Sequence, residues 1–499
     1  MKRSLFIRFL DAVERVGSKL PDPFTLFAIA AALVVVVSWF AFNAGVSVTH
    51  PGTGKVVWAI NLLSPENIQR MFTDAVTNFT NFPPLGLVLV TMIGIAVAER
   101  GGFIAALLRT TVSAVPKSLL TAALVFAGVN SSIVADAGYV VLIPLGAVIF
   151  ASVGRHPLAG LSATFAGVAG GFSANLSVTS LDPLLGGLTQ AAAQLVQPDY
   201  VVSAAANWYF MIASTFFLTI LITAVCEKLV EPRLGEWKGL SDSQDAKLNE
   251  KLSTVEKKGL KYAGIAFAIL IAGLLWISVP EGAILRDVNG TLKPLEKSIV
   301  LILMLLFLIS GIVYAKVTGS ARNDKDIAEM AGDGMATMGG YIVLSFIMAQ
   351  FISYFAWSNL GVVTAVNGAH MLQSLQLQGP FLLVIFVLVA ALINLLIASA
   401  SAKWAIMAPV FVPMFMLMGI SAESTQLAYR IGDSSTNMIA PLLSYIPLIL
   451  VAMRRYVKGA SLGTLLSLML PYSMAMIVLW TLFMLVWILM GLPLGPGVQ

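Results

Sequence analysis

The sequence predicts an all-α polytopic membrane protein: nine transmembrane helices plus two opposed re-entrant hairpins in an inverted repeat, with two of the helices broken at mid-membrane. Three observations lead there. Of 499 residues, 58% are hydrophobic and only 11% charged, with a mean hydropathy of +0.89, whereas a soluble chain carries about 25% charged residues. The apolar residues fall into runs near the roughly 20 residues that one span requires. Lysine and arginine also concentrate on alternate sides of those runs.

Composition excludes several functions. The single cysteine, Cys226, rules out a disulfide framework and any Cys-based zinc or iron–sulfur site. The formal charge of +5 is informative only through its distribution, and nucleic-acid binding is excluded. The chain has no HExxH, GxSxG, Gly-rich phosphate loop or Cys/His cluster, which argues against an enzyme. His50, His156 and His370 fall at predicted ends or loops and receive no role.

Residues 1–21 carry Lys2, Arg3, Arg8, Arg15 and Lys19 without an uninterrupted apolar core, so they read as a cytoplasmic amphipathic helix and not a cleaved signal. Unbroken apolar runs follow at 22–45, 82–100, 205–228, 262–279, 298–316, 337–358 and 463–490. Two further runs, 157–195 and 425–453, are long enough to cross but are interrupted by Gly, Ser, Asn and Thr at 170–175 and 432–437. The stretch 118–153 breaks at 130–138, and its arms are too short to cross. Thirteen helical residues rise about 20 Å against a hydrocarbon core of about 30 Å. Lys117 and Arg155 place both its ends on one side, so it is a hairpin. The stretch 380–419, broken at 399–403, is read as a second hairpin by analogy.

With the N-terminus inside, 23 of the 30 lysines and arginines lie inside and five outside, while Lys403 and Arg430 lie at membrane depth. This bias places the N-terminus in the cytoplasm and the C-terminus in the periplasm. The charged stretch 232–258 becomes a cytoplasmic linker between halves 22–231 and 259–499. Each half runs from hairpin to broken crossing, and the two hairpins enter from opposite sides, as an inverted repeat requires. Asn130 precedes Pro144 by fourteen residues and Asn394 precedes Pro409 by fifteen. Asn175 and Asp433 each precede a Pro-Leu-Leu by eight. The hairpin tips, 130–138 and 399–404, are expected to meet near Asn175 and Asp433. Such paired breaks fit alternating access better than a continuous pore.

Asp136, Asp182 and Asp433 are the deep acids, and all lie in or beside the breaks with Lys403 and Arg430. Intramembrane ionisable groups usually face a cavity or a partner. Arg430 and Asp433, three apart on one helix, either neutralise each other or leave the guanidinium fork for a substrate carboxylate. Asp182 has no basic neighbour in sequence. It either carries a proton, since desolvation favours a neutral carboxyl, or caps amides freed at the break. Asp136 reads as a cap of the first tip. Trp404 either packs, as most intramembrane tryptophans do, or faces the cavity and stacks on an aromatic substrate. Asn175 and Asn437, in the polar breaks, could ligate sodium through side-chain and backbone oxygens.

The segments RHPLAGL (155–161), GFSANL and TSLDPLL within 171–185, NWYFM (207–211), EPRLGEW (231–237), SASAKWAIMAPVFVPMFMLMG (399–419) and YRIGDSS (429–435) resemble the AbgT family of p-aminobenzoyl-glutamate transporters over nearly the whole chain. The resemblance implies an elevator-like, dimeric inner-membrane carrier with nine crossings and two hairpins. It also implies substrates such as p-aminobenzoyl-glutamate and export of sulfonamide antimetabolites. Functional positions of the family match at Asp182, Asn394, Ser401, Trp404, Arg430, Asp433 and Pro441. Substrate binding is therefore expected at Asn394, Ser401, Trp404, Arg430, Asp433 and Pro441, and ion coupling at Asp182, Asn175, Asp433 and Asn437. No cofactor is expected beyond a coupling proton or sodium ion. A sodium-coupled dicarboxylate symporter of similar architecture is the alternative. Two positions depart from the family pattern. Lys403 stands where an apolar residue is expected before the tryptophan, and 421–423 lack a proline expected shortly before the arginine.

Overall fold

The computed structural model describes residues 23–49, 54–113, 116–134, 138–237, 252–288, 290, 292–377, 379–397, 399–441, 443 and 445–498. The expected surface helix 1–21, the middle of the linker (238–251) and Asp136 lie outside the described residues.

The described chain is helical apart from one antiparallel ribbon, β1 (Ser47–Thr49) and β2 (Val56–Trp58), and an isolated bridge between Gly495 and Val498 near the C-terminus. The first half contains α1 (Pro23–Asn43), the short α2 (Pro65–Thr73) and α3 (Ala75–Thr80), α4 (Pro83–Arg100) and α5 (Phe103–Ser113). Next come α6 (Leu120–Asn130), α7 (Ile143–Ser152), α8 (Pro157–Phe165), α9 (Leu181–Ala193), α10 (Trp208–Val225) and α11 (Glu231–Leu234). The second half contains α12 (Thr254–Ser278), α13 (Lys293–Thr318), α14 (Asp324–Ala336), α15 (Gly339–Trp357) and α16 (Leu360–Ser374). It continues with α17 (Pro380–Leu396), α18 (Ala400–Met416), α19 (Ala422–Asn437), α20 (Ile446–Tyr456) and α21 (Leu462–Leu489). Six helical segments among the described residues are long and apolar enough to cross a membrane: α1, α10 continued into α11, α12, α13 from Lys297, α15 and α21. They fall on six of the seven unbroken runs, and α4, with 18 residues, falls on the seventh.

The first interrupted crossing breaks where the glycines predicted. α8 runs through a wide turn, Ala166–Gly170, into non-helical chain that ends at α9. The second does not. Residues 432–437, expected to form the break, are instead the end of a continuous α19, and the break follows Asn437. The polar residues did not interrupt the helix: the Thr436 and Asn437 side chains bond within or across it, while the Ser434 and Ser435 hydroxyls are buried without a partner among the described residues. Thr436 Oγ1 donates to Gly432 O at 2.9 Å, a back-bond that a helix tolerates. Pro441 then bars continuation, since proline lacks the donor and biases its predecessor away from helix. The stretch 380–419 also turns earlier than expected. Ser399 caps α18, so Ser401, Lys403 and Trp404 stand on its first turns and not in the bend.

Small residues let the helices approach closely, the usual solution where no hydrophobic drive separates helix from lipid. A Cβ on Gly94 of α4 would lie 2.2 Å from Met304 O of α13, and one on Gly334 of α14 would lie 2.1 Å from Ala96. Around these contacts α4, α13 and α14 form one body, with α12 laid on α13. In the other body α6 and α7 pack on α8, and α17 and α18 pack on α19. At the latter seam Gly432 would place a Cβ 2.3 Å from Val387 O. Outside the bundle, Arg155 binds Glu231 through Nε at 2.9 Å and Thr121 through Nη1 at 2.8 Å. Beside it, His156 caps α8 by accepting Leu158 N–H at 3.2 Å. Burial holds this imidazole below its ordinary pKa, in the neutral form that can accept.

Gly432→Val should therefore overpack the α17–α19 seam, costing about 1–3 kcal/mol or more. Gly332→Val, at a helical position with open space around it, should be tolerated. Thermal melting of the two purified variants checks this, and equal losses would show that the seam is not tight.

Candidate functional site

The hairpin ends and the breaks converge. Asn130, the last residue of α6, accepts Leu176 N–H through Oδ1 at 3.1 Å. Ser132 bonds the Asn175 side chain reciprocally, at 2.9 and 2.7 Å. In the second half Asn394, near the end of α17, shares its amide hydrogens among Asp433 O, Thr436 Oγ1 and Asn437 Oδ1 at 2.7, 2.9 and 2.9 Å. Asn437 in turn donates to Ala169 O at 3.3 Å, which joins the two interrupted crossings. In each half an asparagine, Asn130 or Asn394, thus ties the end of its helix to the interrupted run, Asn130 at Leu176 and Asn394 at the last turn of α19.

Four charged side chains sit in this core, none more than 2% exposed: Asp182, Lys403, Arg430 and Asp433. Arg430 does not pair with Asp433. Its Nη2 pairs with Asp182, 248 residues away, and its Nη1 lies 2.9 Å from Met211 Sδ. Asp433 pairs with Lys403, whose ammonium also reaches Asn394 Oδ1. Three residues apart, Arg430 and Asp433 share a helix face, yet tertiary partners replaced the pairing that spacing allowed. Asp182, which the sequence left without a basic neighbour, has one. It also accepts from Thr179 Oγ1 at 2.9 Å and from Thr179 N–H, so it satisfies an amide of the break just before α9 and carries an ion pair at once.

Trp404 is completely buried. Its indole stacks on Tyr429 with ring centroids 4.5 Å apart and planes at 27°, and its Nε1 donates to Thr189 Oγ1 at 2.9 Å. A polar chain continues outward. Thr189 bonds Gln426 Oε1, Gln426 Nε2 donates to Asn207 Oδ1 at 2.9 Å, and Asn207 Nδ2 donates to Glu423 O at 3.0 Å. Tyr200 OH donates to Glu423 Oε2 at 2.7 Å. Ser401 is half-buried beside Ser399, with 3.3 Å between hydroxyl oxygens, and Pro441 is buried in the second break.

A cavity of about 430 Å³ lies between the two bodies. Ser132, Thr179, Ser399 and Asn437 line it from the hairpin side, and Met92 and Tyr341 from α4 and α15. Of the two readings of Trp404, this structure holds the packed one: the indole is on the second turn of α18, stacked on Tyr429, and does not line this cavity. The charged core is one contact removed, since Thr179 lines the cavity and binds Asp182, and Ala400 lines it and accepts from Tyr429 OH at 2.5 Å. Sequence reasoning missed Thr179, Thr189, Met211, Gln426 and Tyr429. Tyr429 and Thr179 had a local signal, standing one residue from Arg430 and three from Asp182. Thr189, Met211 and Gln426 had none.

Residues 8–499 match the "AbgT putative transporter family". The p-aminobenzoyl-glutamate transport protein of Escherichia coli (strain K12) is 39% identical over 489 residues, covering 97% of this chain and 96% of that protein. Among solved structures, Neisseria gonorrhoeae MtrF, described within a class of antimetabolite efflux pumps, superposes with a TM-score of 0.93 at 45% identity. That match covers 98% of this chain and all of MtrF. The Alcanivorax borkumensis YdaH transporter superposes with a TM-score of 0.90 at 43% identity, covering 95% of this chain and all of YdaH.

Removing one member of a buried pair strands the other charge, at a cost of about 3–5 kcal/mol. Arg430→Met and Asp182→Leu should each destabilise the protein on that scale, and the double variant should recover most of the loss. Denaturant or thermal titration of the four proteins closes the cycle. Simply additive losses would show that the pair is not coupled.

Proposed function

The chain belongs to the AbgT family of transporters, and from that premise we propose that it is an inner-membrane secondary active carrier of p-aminobenzoyl-glutamate and related folate-pathway aromatic compounds, able to export sulfonamide antimetabolites. The observation that carries this reading is the Arg430–Asp182 pair, buried between the two halves beside the Trp404–Tyr429 stack. p-Aminobenzoyl-glutamate has two carboxylates and one ring. Arg430 offers a planar fork matched to a carboxylate, and the N-termini of α9 and α20 favour anions. Asn394, Ser401, Asp433 and Pro441 belong to the proposed binding set, and the indole supplies a flat apolar face once Tyr429 yields it.

Substrate carboxylate and Asp182 compete for one guanidinium. Neutralising Asp182 with a proton therefore favours carboxylate binding, and the two events are thermodynamically linked. Asp433, Asn175 and Asn437 complete the ion-coupling set. The proposal includes nine crossings, two re-entrant hairpins and an inverted repeat. It is supported by matching contacts in the halves: α6 packs on α8 and α17 on α19, while α7 touches α20 and α18 touches α9. It also includes a homodimer with a cytoplasmic N-terminus and a periplasmic C-terminus, as the positive-inside bias favours.

Purified protein in liposomes, given imposed proton or sodium gradients and labelled p-aminobenzoyl-glutamate, tests the function directly. Asp182→Asn should abolish gradient-driven uptake while substrate binding stays measurable. Retained proton-driven uptake would remove Asp182 from the coupling role. In a folded Arg430→Ala protein, p-aminobenzoyl-glutamate affinity should fall roughly 10- to 150-fold, the effect of losing one hydrogen bond to a charged group. A sulfonamide without a carboxylate should be much less affected, whereas Trp404→Ala should impair both. Equal loss of both ligands in Arg430→Ala would make the arginine a structural partner of Asp182 and defeat the carboxylate clamp.

A further inference from the structure

Lys403 stands where an apolar residue was expected, and it is completely buried. Its ammonium contacts two oxygens, Asp433 Oδ1 and Asn394 Oδ1. Asn394 spends its amide hydrogens on Asp433 O, Thr436 and Asn437, which orients its carbonyl oxygen toward the ammonium. A carboxylate and a fixed amide carbonyl are hard oxygen donors of the kind that hold a small cation. The corresponding place in the first half differs in a telling way. Asn175, eight residues before its Pro-Leu-Leu as Asp433 is before its own, bonds Ser132 and carries no charge. Asn130 Oδ1 meets a backbone N–H there, and among the described residues no cation is paired with either. The acid and the ammonium therefore occur together or not at all.

The charges of the core also balance. Arg430 neutralises Asp182, and Lys403 neutralises Asp433. Deleting the ammonium leaves one carboxylate buried without a counter-charge, a state that protein interiors avoid by taking up a cation or a proton. We infer that Lys403 is a tethered cation: its ammonium occupies a monovalent-cation site formed by Asp433 and Asn394, so that this chain needs no dissolved sodium there, and removing the ammonium opens the site to sodium. The inference deepens the carrier reading, on which it rests only in placing this site on the ion path.

The experiment reads ion binding without substrate or transport, so it stands apart from any failure of the substrate assignment. The full-length protein and Lys403→Met, which keeps an unbranched chain of similar length, are melted in NaCl, KCl and choline chloride at equal ionic strength. The unmodified protein should melt at the same temperature in all three salts. Lys403→Met should melt lower in choline and rise saturably with sodium, by about 2 °C or more at ten times the dissociation constant. Sodium stabilisation of the unmodified protein as large as that of the variant would overturn the inference, and so would a variant indifferent to sodium. If Lys403→Met does not fold in any salt, Lys403→Met/Asp433→Asn decides. A folded, sodium-indifferent double variant upholds the ammonium as the site's obligatory cation. A double variant that is also unfolded assigns Lys403 to packing and ends the proposal.

Discussion

Four charges buried among apolar helices can persist only as pairs, and that constraint organises the centre of this molecule. The Arg430–Asp182 pair is the more consequential, because its members come from different halves of the chain. Neither half can satisfy its own deep charge of that pair, so the two must meet as one body. Asp182 is also bonded to Thr179, and Thr179 lines the cavity. A change of charge at Asp182 would therefore be felt at the guanidinium, at the start of α9 and at the cavity wall together. The Lys403–Asp433 pair does similar work within the second half, joining α18 to α19.

Asparagine does for the breaks what the ion pairs do for the charges. Unwound backbone away from water needs polar partners. Asn130 and Ser132 supply them in the first half, and Asn394 supplies them at the end of α19 in the second. Asn437, bonded to Ala169 O, connects the two sets. Glycine has the complementary role. At Gly94, Gly334 and Gly432 the neighbouring chain approaches so closely that a methyl group would collide with it. The same small residues that weaken a helix in isolation let these helices pack backbone to backbone.

The cavity lies between the body containing the hairpins and the helices α4 and α15, so its walls belong to groups that pack internally by different means. The body around α8 and α19 adds buried ion pairs, asparagine bonds and the Trp404–Tyr429 stack to its glycine contacts. The opposing body, around α4 and α13, packs through glycine contacts and apolar burial, with the exposed Arg100–Asp333 pair at its edge.

The amino-acid sequence by itself determined the membrane character, the unbroken runs, the first break and the identity of the deep charges. Each of these follows from local composition: hydropathy summed over a span, glycine in a run, or a charge where none is cheap. The first break was legible because glycines 170 and 171 remove helix propensity on the spot. The second was misplaced because serine, threonine and asparagine need not break a helix, and here Asn394 and Ser473 on other helices bond its last turn, Asn394 at Asp433 O, Thr436 and Asn437 and Ser473 at Ser435 O. Tertiary structure alone decided which acid met which base. Spacing on α19 offered Arg430 its neighbour Asp433, and helix packing gave it Asp182 instead. It also decided that Trp404 lies under Tyr429, away from the cavity. Pairing and burial depend on distances between segments hundreds of residues apart, and no local pattern encodes those distances.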